Sequence, residues 1–255
     1  MLEWGSLTLF LYILMRMSGF VLLNPLFGRN NVPGIYKAGF IMLLTVVVAS
    51  TYTGAGVEVP NTVVEFCLRA FLELGLGFLL AVIMQFFFYI PEQAGEVIDT
   101  QMGMSMASTY DAGTQTQRTT TASLLSMLML LIFLTANGHQ TLLRIMLTSG
   151  DIVPFGSAAL GDAAANRAVE LFAQCALLSV KLCLPILATE LLGQVGMGIL
   201  MKVIPQINVF AINIELKVLI GLVMLLLMLA PFSEFLLGVE AAMLDELAAA
   251  LELTT

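Results

Sequence analysis

The sequence predicts an all-α fold, a polytopic bundle of membrane helices, and three observations carry that expectation. Hydrophobic residues make up 59% of the 255-residue chain and charged residues 11%, with a mean hydropathy of +0.98; a soluble domain carries about 25% charged residues. Six apolar runs, residues 7–23, 38–51, 74–90, 121–136, 171–192 and 218–237, approach the roughly 20 residues, about 17 at the low end, that a spanning helix needs. No polar stretch between them is long enough to fold as a soluble core, so residues 1–255 are expected to form a single membrane-embedded domain.

Turn chemistry separates the runs. NPLFGRNNVPG follows the first, TYTGAGVEVPN the second, and IPQIN precedes the last. Gly75, Gly77, Gly193, Gly196 and Gly198 mark helices that approach a neighbour closely. Beyond Gly238, EAAMLDELAAALEL sets Ala242, Leu244, Leu247 and Leu251 near one face, the pattern of an amphipathic helix lying on a membrane or a partner. At the other end the only early charges are Glu3 and Arg16. A secretory signal starts with a basic region, so the first helix is expected to be retained. Counting loop cations puts Arg29, Lys37, Arg118, Lys202 and Lys217 on one side and Arg144 and Arg167 on the other, which orients the N-terminus toward the periplasm of a bacterial cell.

Charge and motif content exclude several function classes. The net charge of -8 is spread along the chain without a basic cluster, so nucleic acid has no electrostatic footing here. Cys67, Cys175 and Cys183 form no CxxC pair and lie in apolar stretches, as small buried hydrophobes do. His139, in TANGHQTLL, is the only histidine and has no convergent ligands nearby; a helix start or turn is its expected role. Phosphate-loop, dinucleotide-binding, zinc-protease and serine-hydrolase motifs do not occur. No metal, cofactor or catalytic residue is expected, because acid–base chemistry needs convergent titratable groups.

The embedded charges are the informative residues. A Glu, Lys or Arg at the bilayer centre costs about 2.5 to 3.5 kcal/mol on insertion scales, while a Leu returns about 0.5. In VEFCLRAFLELGLG, Glu65, Arg69 and Glu73 recur every four residues, along one helical face where opposite charges can pair. Two readings stand: a charged face packed against protein, or an interfacial segment preceding a span that starts at Leu74. Arg16 and Lys181 sit within mainly apolar sequence on both sides, which argues for burial against protein or a wet cavity. Glu92, Glu96 and Asp99 form an acidic stripe at i, i+4 and i+7, read either as a solvated face or as acids lining a channel. A secondary transporter using Arg16, Lys181 and Glu190 at the midplane is a rival from another class, but it should show two similar halves, and none is visible.

Several motifs occur in order: MRMSGF and NPLFGRNNVP (Arg16, Pro25, Gly28, Pro33), AGEVIDTQMGMSMA (Gly95, Glu96, Asp99, Gln101, Gly103), FLTANGH, VPFG (Pro154), IPQINVF and APFSE. Together they resemble the FliR family, polytopic proteins of the flagellar export apparatus whose counterpart serves virulence-type type III secretion. Ala112, in YDAGTQTQ, stands where flagellar members often have proline. The resemblance implies a non-enzymatic pore subunit in the bacterial inner membrane, part of the flagellar basal body. It would assemble with FliP and FliQ, and with FlhB and FlhA nearby, to pass unfolded flagellar subunits. It also implies a FliP-like part over 1–166 and a FliQ-like hairpin over 167–255, with Pro205, Gln206 and Asn208 in the hairpin loop. Within such a pore, Met102, Met104, Met106, Met201, Ile204 and Phe210 are candidates for an apolar constriction, since flexible bulky side chains seal and yield. Arg16, Glu65, Arg69, Glu73, Lys181 and Glu190 are candidate buried or inter-subunit charges.

Overall fold

A computed structural model of the chain describes residues 4–28, 32–52, 60, 62–104, 109–111, 116–159, 161–203, 209–252 and 254. In chain order these form α1 (Trp4–Leu23), α2 (Gly34–Thr51), α3 (Val63–Met102), β1 (Thr109–Asp111), β2 (Thr116–Arg118), α4 (Thr120–Thr135), α5 (Gly138–Ile152), α6 (Asp162–Val203) and α7 (Val209–Glu252). Among the described residues five helices are long and apolar enough to cross a membrane, and α4 with α5, bent by 67° at their junction, make a sixth candidate. The chain is an all-α polytopic membrane bundle, with one antiparallel two-stranded ladder that pairs Thr109 with Arg118 and Asp111 with Thr116.

Helix lengths differ from the hydropathy runs. α3, α6 and α7 hold 40, 42 and 44 residues, about 60 to 66 Å at 1.5 Å per residue, roughly twice the 30 Å hydrocarbon thickness. Hydropathy marks only the greasiest half of each, because the flanking turns mix charges with leucines. Pro91, Pro185 and Pro231 lie inside these helices, where membrane helices tolerate them. α5 lay outside the six runs: Leu142, Met146, Ser149 and Gly150 form its buried face, while Gln140, Thr141, Arg144 and Thr148 stay exposed and break the apolar run. Asn137, at φ 60, is its N-cap, and His139 follows as the second helical residue.

The C-terminal segment corrects one expectation. It is no separate surface helix but the last three turns of α7, and its buried stripe is Val239, Met243, Leu247, Ala250 and Leu251, with Ala242 exposed. Arg167 holds this end by two hydrogen bonds to the Glu246 carboxylate, at 2.5 and 3.3 Å, and the Ala159 N–H donates to the Thr254 carbonyl at 3.3 Å. The face was misjudged because alanines populate every side of EAAMLDELAAALEL.

Two compact units divide the described chain: Met1–Phe87 with Asn137–Phe172 and Ala241–Thr255, and Phe88–Ala136 with Ala173–Glu240. In the first, Tyr12, Ile13, Met17, Phe20 and Val21 of α1 are buried, as are Ile41, Leu44, Thr45 and Val48 of α2 at i, i+3, i+4 and i+7. The opposite face of α2 is just as apolar but exposed, at Met42, Leu43, Val46 and Val47, so only tertiary contacts distinguish its sides. In the second unit, Ile90, Ala94, Ile98 and Met102 recur every four residues on α3 beside Leu125, Met129, Ile132 and Phe133 of α4, with the Phe88 and Phe133 rings edge to face at 5.8 Å.

Candidate functional site

Arg16 is fully buried near the C-terminal end of α1. Nothing in an apolar interior tolerates a guanidinium unless its N–H groups are matched, and here they are. Nε donates to the Glu73 carboxylate on α3 at 2.7 Å, Nη1 to the Ser149 carbonyl at 3.0 Å and the Ser149 hydroxyl at 3.3 Å, and Nη2 to the Val153 carbonyl at 3.0 Å. Its Cζ lies 4.3 Å from the centre of the Phe155 ring, a cation–π contact. The other Glu73 oxygen accepts the Gly156 N–H at 2.7 Å. Ser149 lies in the last turn of α5 and Val153 is its C-cap; the Ser149 carbonyl also accepts the Val153 N–H at 3.0 Å, and the cation adds a second donor there, satisfies the Val153 carbonyl and complements the negative end of the helix.

Two glycines permit this geometry. A Cβ on Gly19 would overlap the Leu74 carbonyl, and one on Gly77 would overlap the Arg16 carbonyl. The backbones of α1 and α3 therefore touch, reciprocally, one turn from the ion pair. Gly156, at φ +89, takes the left-handed conformation that presents its N–H to Glu73 at little steric cost.

Glu65 and Arg69 pair with each other at 2.7 Å on a half-exposed face, while Glu73 turns inward to Arg16. The serial pairing expected along one face thus splits: Arg69 has a carboxylate four residues away on either side, and burial assigns one of them elsewhere.

The acidic stripe is not a solvated face. Asp99 is fully buried, and its carboxylate accepts the Thr121 N–H at 2.7 Å and the Thr121 hydroxyl at 2.5 Å. Thr119, the N-cap of α4, makes no side-chain cap bond, so Asp99 caps α4 from another helix and places its charge at the positive helix end. Glu92 pairs with Arg118 at 2.8 Å, and a Cβ on Gly95 would overlap the Ala122 backbone. Glu96 lines an open cleft of about 440 Å³ with Val97, Thr100, Gln101 and Leu187. Replacing Asp99 with alanine strips α4 of its cap, at about 1 to 2 kcal/mol. Hydrogen exchange across the first turn of α4 is expected to quicken by roughly tenfold or more, and Asp99→Asn to fall between wild type and alanine; unchanged exchange would refute the cap.

The other candidates are scattered. Lys181, a candidate buried or inter-subunit charge, is exposed on α6 within this chain. Glu190 is fully buried with neither carboxylate oxygen hydrogen-bonded, and Lys217 is the cation acting on it at a distance. Met102 is buried, and its side chain fills the space over Gly221; Met104 is half-buried and Met201 exposed. Met106, Ile204, Pro205, Gln206, Asn208 and Ala112 lie outside the described residues, as does the Phe210 side chain at the start of α7. Among the described residues no group of three His, Cys, Asp or Glu is placed to hold a metal. Sequence reasoning missed Ser149, Phe155, Gly156, Thr121 and Gly19. For Gly19 the signal was its place three residues after Arg16, matching Gly77 four after Glu73.

The fold and these clusters define a class: a polytopic helical membrane protein whose buried charges and close-approach glycines join its own helices. The chain belongs to the bacterial export proteins, family 1, whose model matches residues 7–241, and the FliR resemblance drawn from the motifs holds across the chain. It is 29% identical over 238 residues to the flagellar biosynthetic protein FliR of Escherichia coli (strain K12), covering 92% of this chain and 90% of that one. With FliR of Bacillus subtilis (strain 168) it shares 29% over 227 residues, 85% and 84% of the two chains. The Yop proteins translocation protein T of Yersinia pestis is 28% identical over 149 residues, 57% and 56% of the two chains.

Proposed function

We propose that this chain is a non-enzymatic pore-forming subunit of the flagellar type III export gate in the bacterial inner membrane, assembling with FliP and FliQ to pass unfolded flagellar subunits. The family match across residues 7–241 carries this reading. Large exposed apolar side chains on α3, α6 and α7 add to it, since helices of this length present more apolar surface than a 30 Å hydrocarbon layer covers. Residues 1–166 form the FliP-like part and 167–255 the FliQ-like hairpin, with FlhB and FlhA as neighbours in the basal body. The flagellar assignment is preferred to the virulence one because the flagellar relatives align over more of the chain. Purification of the tagged chain in mild detergent tests the reading: FliP and FliQ are expected to remain bound, and a solitary monomer binding a small solute would favour a transporter.

The constriction is assigned to Met104, Met106, Met201, Ile204 and Phe210, with Met102 supporting it from within the helical packing. Glycine at Phe210, Met104 and Met106 together should raise ion leak through the assembled gate, because apolar constrictions block ions by dewetting. Unchanged conductance would remove these residues from the seal.

A further inference from the structure

The connector between α5 and α6 has no helical ladder from Val153 to Ala159. It nonetheless supplies three groups to the Arg16–Glu73 pair: the Val153 carbonyl, the Phe155 ring and the Gly156 N–H. A segment without a ladder of its own keeps its place through its anchors. On the α5 side these are the Val153 N–H, bonded to the Ser149 carbonyl at 3.0 Å, and Phe155, which meets the Tyr52 ring edge to face at 5.1 Å. On the α6 side the anchor is the end of α7. The Ala159 N–H, three residues past Gly156, donates to the Thr254 carbonyl at 3.3 Å, and Arg167 pairs with Glu246. These two contacts are eight residues apart on each segment, 159 to 167 and 246 to 254, so the end of α7 runs antiparallel along the connector and the start of α6. Leu247, Ala250 and Leu251 of α7 are buried along this stretch, as are Ala158 and Ala164.

We infer that the end of α7 is a strap that holds the connector down over the Arg16–Glu73 pair, and that releasing it opens the pair to water. Glu73 is fully buried, and its one donor besides Arg16 sits on the connector. Lifting Ala159 therefore draws away the Gly156 N–H, and with it the Phe155 ring that covers the guanidinium. An ion pair stripped of such bonds has no compensation for its burial and is hydrated instead. The strap thus couples residues 246–254 to a centre built by α1, α3 and α5. It is a property of the single chain and does not depend on the assembly reading.

Hydrogen exchange of the purified full chain, read residue by residue, tests the strap with Leu251→Ala. This change removes fully buried packing from the end of α7 and alters no group bonded to Arg16 or Glu73. Exchange at the Gly156 amide should quicken by about tenfold or more, while the Leu44 and Val48 amides of α2 keep their rates. A second variant separates the strap from general loosening. Ala159→Cys with Thr254→Cys, in a background of Leu251→Ala and, to remove the exposed thiol, Cys67→Ser, places two thiols where the backbones already meet at 3.3 Å, within reach of a disulfide. Oxidation should return Gly156 exchange to the wild-type rate, and reduction should release it again. Unchanged exchange at Gly156 in Leu251→Ala would overturn the inference. So would an equal rise at Gly156 and across α2, a cysteine pair that does not oxidise, or a disulfide that leaves exchange fast.

Discussion

Glu73→Leu is expected to destabilise the protein by about 3 to 5 kcal/mol, the cost of stranding a buried charge when its partner is removed. The Arg16 guanidinium would keep its bonds to the Ser149 and Val153 carbonyls, but these carry only partial charges and cannot neutralise it. The Gly156 N–H would also lose its acceptor. Arg16→Leu should cost a similar amount for the mirror reason, because the Glu73 carboxylate is left with one backbone donor and the Val153 carbonyl loses the guanidinium that it accepts from. The diagnostic comparison is the double variant: with both charges gone and leucines packed between α1 and α3, destabilisation should fall well below the sum of the singles. Protease resistance of the purified chain against denaturant measures all three. Strict additivity would mean that Arg16 and Glu73 act independently, contrary to the 2.7 Å contact.

Gly77→Ala should rival that effect although it adds one methyl group. The new Cβ would overlap the Arg16 carbonyl and lie 2.9 Å from the Phe20 nitrogen, and backbone atoms cannot swing aside as a side chain can. α1 must retreat from α3, which also stretches the Arg16–Glu73 bond one turn away. Overpacking alone typically costs about 1 to 3 kcal/mol, and the weakened ion pair adds to it. Gly39→Ala is the matched control, because nothing lies within 4 Å of that position. It should be neutral or slightly stabilising, since alanine is the better helix former. If Gly77→Ala and Gly39→Ala unfold at the same denaturant concentration, the close approach of α1 and α3 is not a constraint.

Much of the architecture was legible without coordinates. Six runs foreshadowed six candidate spans, and the order of the motifs from MRMSGF to APFSE pointed to the family whose model covers residues 7–241. The polar sites were less legible. Asp99 looked like one member of a solvent-facing stripe because its spacing from Glu92 and Glu96 is that of a surface face, yet the N-terminus of α4 supplies donors that bury it. Lys181 was expected against protein or a wet cavity, as a buried or an inter-subunit charge, and lies on the exterior of this chain; an embedded charge signals protein contact without saying whose protein.

The sequence by itself determined that this chain is helical, membrane-embedded and rich in charges that lipid would not accept, because those properties follow from composition and from transfer free energies that each residue carries locally. Tertiary structure alone decided which charge meets which. Arg16 finds Glu73 57 residues away and Ser149 133 residues away, and no local period encodes either distance. Helices apolar on every side give no moment to mark an inner face; their faces are chosen where glycines let backbones touch and where a buried donor finds an acceptor on another helix.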